Sequence, residues 1–279
     1  MYRRLPRNSQ CRKLRHPKNR TSPNSPPMES ATLLLFGAGL LAGMMNALAG
    51  GGSFVTLPAL MFAGVPSVFA NASSTVALLP GAATSAWAYR ADYRGFGQVS
   101  MRAMVGISLV GGLLGALLLM NTSSRAFDFI VPWLLLIGSL AFTFGKQAGV
   151  WLRQRMQIGR TTLLVSQGAL AIYGGYFGGA VGIMMMAVWA LFGHDDIKAL
   201  NASRTLLVGA TNLVAVVCFA LAKMVWWPQT LVMLVAAALG GYLGAHVGKR
   251  LPVPIVRALI STFGFSMTAL LFWRAWSHV

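Results

Sequence analysis

Apolar residues run along this chain in long blocks. Neither the two-residue alternation of a strand nor the one-sided stripe of a surface helix breaks them up. The blocks cover approximately residues 31–64, 70–89, 103–121, 127–145, 161–193, 202–222, 228–247 and 254–275. A helix that crosses a bilayer takes about 20 such residues. The first and fifth blocks are too long for one simple span, because a continuous helix of that length reaches about 50 Å against a hydrocarbon core of about 30 Å. Both carry glycine clusters: Ala49-Gly50-Gly51-Gly52-Ser53 in the first, Gly174-Gly175 and Gly178-Gly179-Ala180-Val181-Gly182 in the fifth. Glycine interrupts helices or lets them pack very closely. The pattern predicts two half-helices around an unwound turn in each long block. The expected fold is all-α, a polytopic membrane protein of about eight hydrophobic segments.

The polar positions between the blocks repeat. Asn71-Ala72-Ser73-Ser74-Thr75 returns as Asn201-Ala202-Ser203-Arg204-Thr205, 130 residues later, and Gly52 matches Gly182 at the same offset. Gly111-Gly112-Leu113-Leu114-Gly115-Ala116 returns as Gly240-Gly241-Tyr242-Leu243-Gly244-Ala245, offset by 129. These matches predict two homologous halves, the first segment of each broken at glycines. The expected division is a basic tail over 1–27, a first transmembrane repeat over 28–145, a basic cytoplasmic linker over 146–160 and a second repeat over 161–279. Duplicated bundles place their site where the halves meet.

Composition agrees with a membrane location. The chain has 279 residues, 56% hydrophobic and 10% charged, whereas a soluble domain carries about 25% charged residues. The net charge of +18 is less informative, since eight of the 23 basic residues fall within the first 20 positions. Residues 1–27 hold no acid and five prolines, a disordered composition. Two readings stand: an arm lying on anionic lipid, or an over-long start with Met28 as the true first residue. The two cysteines, Cys11 and Cys218, form no disulfide framework or metal set.

Loop charges bear on topology. If the broken blocks fold back as hairpins, basic residues outside the tail and the spans divide eleven to three, and the halves are inverted. If those blocks cross once, the division is nine to five and the halves are parallel. The hairpin reading is favoured with Met28 as the start; a cytoplasmic tail would favour the other.

Chemistry-bearing residues are few. The five acids, Glu29, Asp92, Asp128, Asp195 and Asp196, all lie at segment ends or in loops. This disfavours a carboxylate proton relay, a carboxylate cation site and an aspartyl protease. No histidine has helical zinc spacing, so no metal, cofactor or enzymatic role is expected. Arg204 stands out, three residues after Asn201 at the start of an apolar span. A charge there is costly, and is usually turned inward, paired or functional. It can snorkel or pair with Asp196, or it can be the fixed cation of an anion site, its guanidinium fitting the oxygens of a sulfonate, sulfite or carboxylate. Asn71, Asn201, Ser73 and Ser203 are good N-cap residues. Capping and binding are compatible, because helix N-termini attract anions. Thr211 and Asn212 read as interhelical hydrogen-bonding residues.

Gly43-Met44-Met45-Asn46-Ala47-Leu48-Ala49-Gly50-Gly51-Gly52-Ser53-Phe54, then Pro58, then Ala70-Asn71-Ala72-Ser73-Ser74-Thr75, resembles the first half of the sulfite exporter TauE/SafE-like permeases. Gly178-Gly179-Ala180-Val181-Gly182 followed by Ala199-Leu200-Asn201-Ala202-Ser203-Arg204 is similar to that family's second motif. The resemblance covers about 30–275 and implies transport of small anions, often sulfur-containing. Ile183 to Trp189 is wholly apolar, a departure from the polar set often found there.

The sequence therefore predicts an inner-membrane, multi-pass permease working by alternating access. Its expected site residues are Arg204, Asn201, Ser203, Asn71, Ser73, Gly51, Gly52 and Gly182. Its partners are a small anion and the lipid bilayer, with a homodimer left open and no nucleic acid. The rival is a non-transporting scaffold whose basic tail recruits a partner.

Overall fold

A computed structural model describes residues 28–48, 50–88, 99–153, 159–190, 197–247 and 253–276. The basic tail, His194, Asp195 and Asp196 lie outside the described residues. Among the described residues every element is a helix: α1 (Met28–Leu48), α2 (Ser53–Phe62), α3 (Ser67–Ala88), α4 (Met101–Met120), α5 (Ser124–Arg153), α6 (Arg160–Phe177), α7 (Val181–Ala190), α8 (Ile197–Leu221), α9 (Trp227–Val247) and α10 (Val253–Trp276). Six stretches within α1, α4, α5, α8, α9 and α10 are long and apolar enough to cross a membrane.

Local chemistry sets several boundaries. Ser100 caps α4, its Oγ accepting from the Ala103 N–H at 3.3 Å. At the other end the side chains of Asn121 and Thr122 donate to Leu117 O and Leu118 O, both at 2.8 Å. These carbonyls also accept from the Asn121 backbone N–H at 3.2 Å, so the side chains reinforce the last turn. α6 stops at Gly178, which takes the left-handed conformation at φ 75° that glycine adopts without strain. α5 continues to Arg153, beyond the apolar block that ends at 145. The linker expected over 146–160 therefore begins as helix.

The surface differs from that of a soluble protein, although the core is apolar, with Trp189, Phe54 and Phe127 fully buried. Large apolar side chains face outward, with Leu33 at 75% exposure, Leu221 at 79% and Val165 at 67%. Polar ones turn inward: Asn71, Ser73, Ser108, Gln167 and Thr211 are all buried. Such a surface suits hydrocarbon, and the inward polar groups find partners there.

Two helix pairs pack most extensively, α1 on α9 and α4 on α6, and both depend on glycine. A Cβ at Gly43 would lie 2.0 Å from Ala237 O, and one at Gly240 would lie 2.0 Å from Leu40 O. One at Gly115 would lie 2.2 Å from Ile172 O, and one at Gly175 the same distance from Gly112 O. Close backbone approach of this kind is the usual way helices associate where the hydrophobic effect gives no drive.

Residue pairings fix relative directions. Gly39 lies beside Met233 and Ala236, and Met44 beside Gly244, so α1 and α9 run the same way. Ser108 bonds Gln167 and Gly115 abuts Ile172, so α4 and α6 also run the same way. Thr143 bonds Ser261 while Trp133 stacks edge-on with Phe272, so α5 and α10 are antiparallel. Gly52 returns to Ala42 O, and Trp189 Nε1 returns to Gln167 Oε1. α1–α2 and α6–α7 are thus hairpins that turn at the glycines.

Candidate binding site between the two hairpin turns

The hairpin turns are built from backbone that few side chains tolerate. Gly50 and Gly51 have φ of 80° and 97°, and Gly178 and Ala180 have φ of 75° and 59°. Ala180 carries a Cβ in the left-handed region, which costs about 1 kcal/mol or more. That strain is located at the cavity described next. α2 begins without a side-chain cap at Gly52, and its first turn closes on the turn's own carbonyls, the Phe54 N–H donating to Gly51 O and those of Val55 and Thr56 to Gly52 O.

Between the turns lies a cavity of about 70 Å³. Gly50, Gly51 and Ser53 reach it from the first turn, and Gly178, Ala180 and Gly182 from the second. Asn46 borders it from α1. Two further helices complete it in matched fashion: Thr75, Leu78 and Ala82 from α3, and Thr205, Val208 and Asn212 from α8, each pair 130 residues apart. Arg204 also lines it. Its stem lies along the second turn, so that a Cβ at Gly182 would sit 3.1 Å from Arg204 Cδ. Its guanidinium reaches the first turn, with Nη1 3.9 Å from the Cβ position of Gly50. Among the described residues no acidic side chain lines the cavity. One guanidinium, with the amides of Asn46 and Asn212 in the same lining, favours an anion electrostatically; the Thr75 and Thr205 hydroxyls donate to Asn71 O and Ala202 O of their own helices.

Of the expected site residues, the cavity brings together Arg204, Gly51 and Gly182. Gly52 stands behind it, where a Cβ would lie 2.7 Å from Ala42 O. Ser203 is buried but does not line it, and the side chain of Asn201 lies outside the described residues. The expectation that Asn71 and Asn201 cap their own helices is corrected. α3 begins at Ser67 and α8 at Ile197, so both asparagines lie a turn inside. Pro66 helps start α3 early, its carbonyl accepting from the Ala70 N–H at 2.8 Å. Asn71 instead caps a different helix: its Nδ2 donates at 2.8 Å to Tyr176 O, a carbonyl at the end of α6. Ser73 Oγ accepts at 3.0 Å from the Trp226 N–H, just ahead of α9. Neither lines the cavity; each ties α3 to an end of another helix.

The sequence reading did not single out Asn46, Thr75 or Thr205 as site residues. The threonines were within reach of it. Each stands four residues after the repeated asparagine, where a helix returns to nearly the same face.

An all-helical membrane protein with a small, partly polar cavity between two glycine-turned hairpins is built as a membrane transporter. The chain belongs to the sulfite exporter TauE/SafE family, whose model matches residues 35–271. It is 34% identical over 232 residues to the "Probable membrane transporter protein YfcA" of Escherichia coli (strain K12), covering 82% of this chain and 84% of that one. It is 30% identical over 248 residues to a "Probable membrane transporter protein" of Haemophilus influenzae, covering 88% and 96%. A "Probable membrane transporter protein ORF9" of Sinorhizobium sp is 30% identical over 219 residues, covering 77% and 81%. No solved structure matches the chain.

Proposed function

We propose that this transporter carries a small anion (sulfite, a sulfonate or a related organic anion) across the inner membrane by alternating access between two inverted halves. The observation that carries the reading is Arg204, a guanidinium reaching between both hairpin turns in a cavity that no described acid lines. The turns add the positive ends of the α2 and α7 dipoles, which stabilise an anion further.

Packing supports two halves, α1 to α5 and α6 to α10, as repeats. Exchanging the halves turns the α1–α9 pair into α6–α4, and α3–α9 into α8–α4, and all four pairs pack closely. The directions support inversion. α9 and α10, like α4 and α5, are joined by short links, 248–252 and 121–123, and such links reverse a crossing helix. If α1 runs up, α9 runs up, α10 down, α5 up, α4 down and α6 down. Every helix so placed then opposes its counterpart in the other half. This is the arrangement in which the broken blocks fold back and the loop charges divide eleven to three. Asn71 and Ser73 act here as ties between the halves, since each joins α3 to a helix of the second half.

The direct test is flux of a labelled anion panel into proteoliposomes by the wild type and Arg204→Gln. Saturable wild-type flux that the substitution removes supports the assignment. Equal flux by the two proteins sinks it.

A further inference from the structure

We infer that Asn212 is a second recognition point, and that the preferred substrate is a small organic anion carrying a hydrogen-bond donor at the end away from its charge. This rests on the reading of the cavity as an anion site. Asn212 lies eight residues beyond Arg204 on α8, about 12 Å farther along the helix axis. Val208, halfway between, lines the same cavity. The three therefore form one strip with a cation at one end and a carboxamide at the other.

Asn212 is 7% exposed, and its Oδ1 has no hydrogen-bond partner. A buried acceptor left unpaired is costly, and structures rarely keep one without a reason. Among the described residues the other two buried side-chain atoms in that state, Ser139 Oγ and Gln229 Oε1, do not belong to cavity residues. Helix packing does not explain the amide. The neighbouring Thr211 supplies the interhelical contact, its Oγ1 bonding Leu207 O at 2.9 Å and reaching Ser108 O at 3.5 Å. The position 130 residues earlier is Ala82, which borders the cavity with no polar group at all. Arg204 likewise replaces Ser74, whose Oγ pairs with Thr56 at 2.5 Å. Arg204 and Asn212 both stand on α8 and give the cavity a polar group where the matching first-half position gives none, whereas Ser53 and Asn46 are the reverse case, matched by Ile183 and Tyr176.

The guanidinium binds the acidic oxygens, and the amide oxygen accepts from a hydroxyl or ammonium group. A site built to bond a hydroxyl strongly rejects the analogue that lacks it, because the buried acceptor then stays unpaired. 2-Hydroxyethanesulfonate and 1-propanesulfonate form a suitable probe pair, differing by a hydroxyl in place of a methyl. Their binding to the full-length protein in detergent is measured by titration calorimetry for the wild type, Asn212→Leu, Asn212→Ala and Arg204→Gln, with melting temperature as the check on folding. The wild type is expected to prefer the hydroxyl compound by about tenfold. Either Asn212 variant should lose that preference while holding 1-propanesulfonate within about twofold. Equal wild-type binding of the two, a preference for 1-propanesulfonate, or a hydroxyl preference that survives in a folded Asn212 variant overturns the role of Asn212. In those cases loss of both ligands in Arg204→Gln leaves the anion site standing. If neither sulfonate binds the wild type, or if both bind Arg204→Gln as tightly, the anion reading falls as well.

Discussion

At the scale of single residues, matching positions of the two halves do different work. Ser74 is used to tie α3 to Thr56 on α2, and its counterpart Arg204 is used to face the cavity. Arg204→Lys keeps a charge but loses the planar fork. Flux in proteoliposomes should therefore fall about tenfold or more while the melting temperature stays close to that of the wild type. Asn71→Ala removes the donor to Tyr176 O and leaves that carbonyl unpaired, at a cost of about 1–3 kcal/mol. A lowered melting temperature of the purified protein would show it. Much of this was legible in the chain. A charge inside an apolar block and two glycine clusters were enough to select Arg204, Gly51 and Gly182. Asn71 and Ser73 were selected for the right chemistry and the wrong helix, because sequence reveals that a residue suits a helix end but not which end it meets. Their partners lie 105 and 153 residues away.

At the scale of elements, glycine has two separate functions. At the turns it supplies left-handed backbone, as at Gly50 and Gly178. In α1, α4, α6 and α9 it removes side chains so that backbones can touch. Composition announces both roles with the same letter, and only the pairing of helices separates them. The second role gives a clear expectation. Gly240→Ala places a methyl 2.0 Å from Leu40 O in a close pair of helices that cannot separate cheaply. Overpacking of that kind costs about 1–3 kcal/mol, to be read as a lowered melting temperature or as loss of folded protein. Gly37→Ala on α1, where nothing lies within 4 Å, should leave the melting temperature unchanged. The hydrophobic blocks located the helices well, since chain length between polar breaks sets them. Their direction was open, because a folded-back and a crossing segment have the same composition. Pairings such as Gly52 with Ala42 supply that direction.

At the scale of the whole molecule, the proposed inverted halves meet at the cavity, and α8 brings to it both Arg204 and Asn212. On the proposed reading, a bound anion moves its charge across the bilayer as the halves exchange access. The membrane potential acts on a single charge with about 2.3 kcal/mol per 100 mV, so an inside-negative potential drives a monoanion outward without a coupling ion. The measurement that tests this most directly is saturable anion flux in proteoliposomes with the potential clamped in each direction, for the wild type beside Arg204→Gln. The account predicts wild-type flux whose direction follows the potential and which vanishes in Arg204→Gln. Flux that ignores the potential, or that persists unchanged without the guanidinium, would contradict it.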